Sequence, residues 1–279
     1  MSNWKKVPDS TWLLDSNSYR IKEKPVGESK CEGPWYSEYG EDGILTYLFE
    51  YINDEHKFAV DIGAAHGYGG SNIRHLADKY NWETTEFEDK PRRGKWPRVH
   101  PSVKELRASP KNICKSLLEH NTPFEFDLLS LDIDSMDWYV LKAMLDGGFK
   151  PNVIILEYNP IFDHDEEIVR NFDMNYGKDS SSGYGASLSA FEKLLNKHNH
   201  TLVVNCADIH NEIYSNNAIF LNNKFIRDND KIQTIEELHP NVWKEPWKTK
   251  NIEKDLTKLK KYLIEHSVMK ELKGEDYND

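Results

Sequence analysis

The strongest constraint in this sequence is an alternation. Short apolar runs at Phe58–Ile62, Phe126–Asp132, Val153–Glu157, Thr201–Val204 and Ala218–Leu221 are separated by stretches in which apolar residues recur at helical spacing. Strands alternating with crossover helices build an α/β domain around a mostly parallel sheet with helices on both faces. Nearly continuous runs such as Val153-Ile154-Ile155-Leu156 suit strands buried on both sides. Two weaker strand candidates are Trp82–Glu88 and Val103–Leu106. Helices are expected near Ser71–Tyr80, Pro110–His120 (with Ser109 as N-cap), Met136–Leu145 and Ser187–Lys197. An earlier helix is signalled by Ile44, Leu45, Leu48, Phe49 and Ile52, and Glu41 and Asp42 in its first turn suit the partial positive charge of a helix N-terminus.

Around this centre lie an irregular N-terminal arm (1–36) and a charged helical C-terminal extension (226–279), leaving 37–225 as the α/β domain. In the extension, Ile252, Leu256, Leu259 and Leu263 form one apolar stripe, suited to a domain edge or a homodimer seam. Residues 162–184 are a polar excursion after a strand end, either a substrate loop or plain surface. No apolar run reaches the roughly 20 residues of a membrane span, and no apolar signal core follows Met1. Cys31, Cys114 and Cys206 lie far apart, which suggests neither a disulfide framework nor a zinc cluster and points to a reducing cytoplasm. With 36 Lys+Arg against 47 Asp+Glu, the net charge of −11 disfavours long nucleic acids. One stretch departs from that balance: Lys90, Arg92, Arg93, Lys95 and Arg98 form a basic loop that suits an anionic acceptor or is a solvated surface.

The chemistry gathers at strand ends. Val60-Asp61-Ile62-Gly63-Ala64-Ala65-His66-Gly67 runs from a strand into a glycine loop and then a helix, the place where open α/β sheets bind ligands. Its Asp-x-Gly-x-x-x-Gly spacing is wrong for the pyrophosphate cradle of a dinucleotide site and suits a ligand without phosphates, such as S-adenosylmethionine. A carboxylate about 20 residues on would accept the ribose hydroxyls, and Glu88 stands there with Glu86 and Asp89 as competitors. The next two strands end in Asp132-Ile133-Asp134 and in Glu157-Tyr158-Asn159. Carboxylates converging there are costly to bury without a proton, a metal or a partner. Helix capping by Asp134 or Ser135 accounts for part of this group, not for Asp132 and Glu157 together.

The strings Ser37-Glu38-Tyr39-Gly40-Glu41-Asp42-Gly43-Ile44-Leu45, Val60-Asp61-Ile62-Gly63-Ala64, Ser71-Asn72, Leu128 to Asp134, Ile155 to Asn159 and Gly185-Ala186-Ser187-Leu188 occur in the order seen in FkbM-like class I methyltransferases, which the chain resembles from about Ser37 to Leu221. The resemblance implies the seven-stranded Rossmann-like methyltransferase sheet, S-adenosylmethionine as cofactor, and O-methylation of a sugar, polysaccharide or small-molecule hydroxyl. It also implies contacts from Tyr39, Glu41 and Asn72 to the methionine end of the cofactor. The chain departs from the family pattern at His66, at Ser135 and in its polar second strand.

Site expectations follow. Asp61, Gly63, Ala64, Gly67 and Glu88, with Glu41 and Asn72, form the cofactor side. Asp132 and Asp134 act as base or as ligands to Mg²⁺ or Mn²⁺, and Glu157 and Asn159 shape the opposite wall. His66 is a base or makes a local hydrogen bond. His164 is read as surface. Two other classes remain open: a nicotinamide-dependent reductase, although Tyr139 and Lys142 are one residue too close for its Tyr-x-x-x-Lys pair, and a non-catalytic adenosyl-ligand module.

Overall fold

The computed structural model describes residues 36–52, 56–91, 98–172, 185–206, 215–228, 230, 232–238, 252–265 and 267–277, with no side-chain description for 252–256 and 259. Nearly all of the N-terminal arm, the centre of the basic loop (92–97) and the second half of the excursion (173–184) lie outside the described residues.

In chain order the elements are α1 (Glu41–Ile52), β1 (Phe58–Ile62), α2 (Arg74–Tyr80), β2 (Glu83–Glu88), β3 (Val103–Glu105), α3 (Ile113–Glu119), β4 (Glu125–Leu131), α4 (Asp137–Asp146), β5 (Lys150–Glu157), β6 (Ile168–Arg170), α5 (Leu188–Lys197), β7 (His200–Asn205), β8 (Asn217–Asn222), α6 (Ile235–Leu238), α7 (Ile252–Glu265) and β9 (Met269–Glu271). Seven described strands form one sheet in the order β3-β2-β1-β4-β5-β8-β7. Strands β1 to β5 pair in parallel, whereas β8 runs antiparallel to both β5 and β7. This is the expected Rossmann-like α/β sheet, seven-stranded, mostly parallel and covered on both faces. The polar second strand forms because its neighbours accept it: β2 registers Asp61 with Glu86 and Ile62 with Phe87.

Alternate strand residues divide the core into two layers, as the period of a strand requires. Val60, Ile62, Leu129, Leu131, Ile154 and Leu156 pack with Ile113, Leu117, Leu141, Met144, Phe191 and Leu194 of α3, α4 and α5. Ala59, Leu128, Val153 and Ile155 pack on the other face with Ile44, Leu45, Leu48 and Leu76 of α1 and α2.

Three boundaries move for local reasons. The second helix starts at Arg74, since the Ser71 hydroxyl accepts from Arg74 N and donates to Asp61 before the helix begins. The third starts at Ile113, not Pro110: it is Asn112 Oδ1, accepting from Ser109 N at 2.8 Å, that closes the preceding turn. The fifth starts at Leu188, one residue later than expected, because Ser187 caps it, its Oγ accepting from Ala190 N.

The C-terminal chain folds back onto the excursion. β9 pairs antiparallel with β6 in a separate two-stranded sheet. Phe162, Ile168, Leu263 and Met269 make a small core beneath it, and Lys260 Nζ reaches Asp163 at 2.8 Å and Glu166 at 2.5 Å. Leu263 of the apolar stripe is therefore buried within the chain. No described helix is long and apolar enough to cross a membrane.

Candidate functional site

Strand order locates the crevice. The chain runs outward from β1 through β2 to β3, then returns to place β4 on the other flank of β1, so the switch point lies between the carboxyl ends of β1 and β4. The residues there are Gly63 and Asp132. Gly63 has φ +101°, and a Cβ on it would stand 1.6 Å from the Asp132 carbonyl oxygen. Glycine is thus demanded by two strand ends packed backbone to backbone.

On the β1–β2 side the loop is closed on itself. Gly63 N and Ala64 N donate to Phe87 O, Ala65 N to Glu88 Oε2 at 3.0 Å, and Gly67 N to Ala64 O. Glu88 is half-buried beside the loop. Its two rivals are placed elsewhere: Glu86 is fully buried against Arg74, and Asp89 pairs with Lys90 at the surface. Asp61, buried below the loop, receives a hydrogen bond from Ser71 and joins Ser130 and Asn72 in a polar chain. Burial, then the Glu86 charge, pushes its carboxyl up to about 7. His66 is buried with Nδ1 accepting from Tyr68 N at 3.2 Å, the local hydrogen bond of the two readings.

On the β4–β5 side three carboxylates meet. Asp132, Asp134 and Glu157 each offer an oxygen within 4.8 Å of the others. Asp132 is solvent-exposed, while the protein atoms crowded around its carboxyl head the causes that raise it. Burial and then Glu157, Asp134 and Asp137 drive it well above the carboxylate range. Burial, Asp134 and Asp137 push Glu157 to about 7. The two share a side-chain hydrogen bond, which needs a proton on one of them, and they titrate as a pair. The charges that raise the two are those of Asp134 and Asp137, with Glu157 acting on Asp132 as well.

Several supports of this side were not foreseen. Asp137, at the start of α4, accepts from Ile133 N and Ser135 N at 2.8 and 2.9 Å, and it makes the turn on which Asp134 sits at φ 56°. The expected capping by Asp134 or Ser135 is therefore corrected: Asp137 holds the turn, and α4 has no side-chain N-cap. Asn216 Nδ2 donates to Glu157 Oε1 at 2.6 Å. Ser215 and Asn217 donate to Glu41, which is fully buried and also accepts from Tyr39 N. Glu41 thereby ties the start of α1 to the rim of β8, with the half-exposed Tyr39 phenol within the influence of Glu157. Ser215 to Asn217 reach this rim only because β8 is antiparallel, and the 205–217 connection is too ambiguous in sequence to show a reversal rather than a crossover. Asn159 is fully buried, its Oδ1 accepting from Ile161 N and its N donating to Ala186 O, so it shapes the chain behind Glu157. Asn72 is buried as well, its amide on Ser130. Tyr139 donates to Arg170 O, and Lys142 is paired with Asp146, so each hydroxyl and ammonium of that reductase-like pair has its own partner.

No family model matches the chain, and no curated protein matches its sequence. Among solved structures it is similar to the methyltransferase domain of bacterial CtHen1-CN, at 12% identity and a TM-score of 0.36, over 64% of this chain and 95% of that one. A likeness of that size carries nothing over; the fold rests on the strand order and register described above.

Proposed function

We propose that the protein is an S-adenosylmethionine-dependent methyltransferase acting on a hydroxyl, with a sugar, polysaccharide or small molecule as acceptor. The observation that carries this reading is the donor set of the switch-point crevice. The N–H groups of Gly63, Ala64, Ala65 and Gly67 all have acceptors within the protein, so the loop turns no nest of donors outward for a pyrophosphate. Carboxylates from the ends of β2, β4 and β5 line the same crevice and favour a cationic ligand. A sulfonium with an ammonium at its far end fits that wall, and a dinucleotide does not. The resemblance to FkbM-like enzymes points the same way.

The cofactor supplies an electrophilic methyl group on sulfur. Glu88 accepts the ribose hydroxyls beside the Gly63 loop, and Asp61 stiffens the loop from below through Ser71 and Ser130. With cofactor and acceptor bound, the Asp132–Glu157 pair would take the proton that the acceptor hydroxyl loses. Asp134, held by the Asp137 turn, keeps the pair's proton affinity high, and Asn216 fixes the Glu157 rotamer. Asp132, Asp134 and Glu157 are also a hard oxygen set that would suit Mg²⁺ or Mn²⁺, which would take the place of the shared proton and acidify the acceptor hydroxyl.

Calorimetric titration with S-adenosylmethionine, S-adenosylhomocysteine and NADPH tests the reading, followed by incubation with methyl-labelled cofactor and a cell extract. Binding of the adenosyl ligands and label in a hydroxyl-bearing product are expected. Binding of NADPH alone overturns the reading, and adenosyl binding without methyl release reduces the protein to a binding module.

A further inference from the structure

Among the described residues, one of the largest fully buried side chains is a cation, Arg74, at 2% exposure. It stands in the first turn of α2, directly after the glycine loop. Its guanidinium makes contacts in several directions. Nε donates to the Gly67 carbonyl at 2.7 Å, Nη2 lies 2.6 Å from both oxygens of Glu86, and Nη1 reaches Asp78 at 3.5 Å. Glu86 is filled by further donors, Thr84 Oγ1 at 2.8 Å and Ser102 Oγ at 2.7 Å.

Burying such a pair is a poor way to gain stability, since apolar residues of similar volume commonly serve as well or better. Apolar residues cannot hold a carbonyl oxygen. Gly67 sits at φ +77°, and its carbonyl, with that of His66 held by His100 N at 2.9 Å, fixes the far limb of the loop. The near limb carries Ala65, whose N–H orients the Glu88 carboxylate. The fork therefore spans from β2 to the loop that aims Glu88, with Glu86 as its internal counter-ion. A lysine supplies the charge but not a rigid planar fork able to serve the carbonyl and the carboxylate together.

We propose that Arg74 is a positioning residue for the adenosyl-ligand site: through Gly67 it sets the loop on which Glu88 is aimed. The proposal rests on the methyltransferase reading for the identity of the ligand, not for the clamp itself. The test is titration of the full chain with S-adenosylhomocysteine, comparing wild type, Arg74→Lys and Ile155→Val, the last a methyl deletion in the core of β5, two strands from β1 and on the sheet's other flank from Arg74's partner strand β2. Arg74→Lys is expected to weaken binding by about tenfold or more, as loss of the shell that supports a site does. Ile155→Val is expected to bind as wild type does even where its melting temperature falls equally, a separation that a merely structural role of Arg74 would not produce. Equal affinity of Arg74→Lys and wild type overturns the proposal. Should wild type fail to bind, the ligand reading falls and hydrogen exchange of residues 63–70 decides the clamp: faster exchange in Arg74→Lys supports it, and unchanged exchange overturns it. If Arg74→Lys does not fold, Glu86→Gln, which keeps an acceptor but removes the counter-charge, takes its place with the same expected loss and the same overturning result.

Discussion

The two flanks of the crevice are built differently. On the β1–β2 flank the glycine loop has its N–H groups paired, and the buried Glu86 is matched by a buried arginine. The residues involved, Gly63 to Ser102, are neighbours in sequence. On the β4–β5 flank, carboxylates face carboxylates, Glu157 is held by Asn216 from far along the chain, and the polar excursion follows β5. That excursion is itself strapped by the C-terminal β9, Lys260 and Tyr277, whose hydroxyl donates to Glu167 and whose ring meets Trp138 of α4. On one flank each buried charge described has an opposite charge or hydrogen-bond donors beside it. On the other, like charges sit close together and raise one another's proton affinity.

The comparison breaks most sharply at its seam. Gly63→Ala places a methyl inside the Asp132 carbonyl contact at a left-handed φ, so a loss above about 4 kcal/mol is expected, seen as failure to accumulate folded protein on expression. Asp132→Asn removes a proton carrier and leaves the β1–β2 flank intact. Its methyl transfer should fall by about 10²–10⁴-fold while S-adenosylhomocysteine affinity, read by calorimetry, stays within a few-fold; retained turnover would defeat the base assignment. Glu88→Gln acts in the opposite sense and should weaken that affinity by about tenfold, the worth of a hydrogen bond to a charged group.

Smaller effects sharpen the contrast. Lys260→Met loosens the strap without touching the cofactor flank. Hydrogen exchange should rise across 161–172 with S-adenosylhomocysteine affinity unchanged, and equal protection would remove the strap from the account. The pH response is expected at Asp61. Its folded carboxyl is raised to about 7 from 3.8, so the native state holds the proton more tightly than the unfolded chain. Stability contributed by the protonated form is complete below about pH 4 and is lost as pH climbs toward 7. Asp61→Asn should flatten that decline and, at pH 8, melt higher than wild type by about 2–4 °C, the shift that about 1 kcal/mol produces in a domain of this size.

How far each flank was legible follows from the same division. Strand runs and glycine spacing reveal β1, its loop and the acidic ends of β4 and β5, because period-two burial and left-handed turns leave a local mark. They do not distinguish Glu86 from Glu88, since which carboxylate faces Arg74 depends on the register of β2 against β1. They also miss Asp137, which lies three residues past Asp134 and holds the turn from the helix side.

The sequence by itself determined the layers, the alternation of strands and helices up to β5 and the residues at the strand ends, because each is written in the spacing of neighbouring residues. Only the tertiary structure decided that β8 reverses to bring Ser215, Asn216 and Asn217 to the rim, that the C-terminal segment straps the excursion, and that the Asp132 carbonyl leaves no room for a Cβ on Gly63. These are contacts between segments distant along the chain. They are fixed by which surfaces remain to be buried and which polar groups remain to be paired once the sheet has formed.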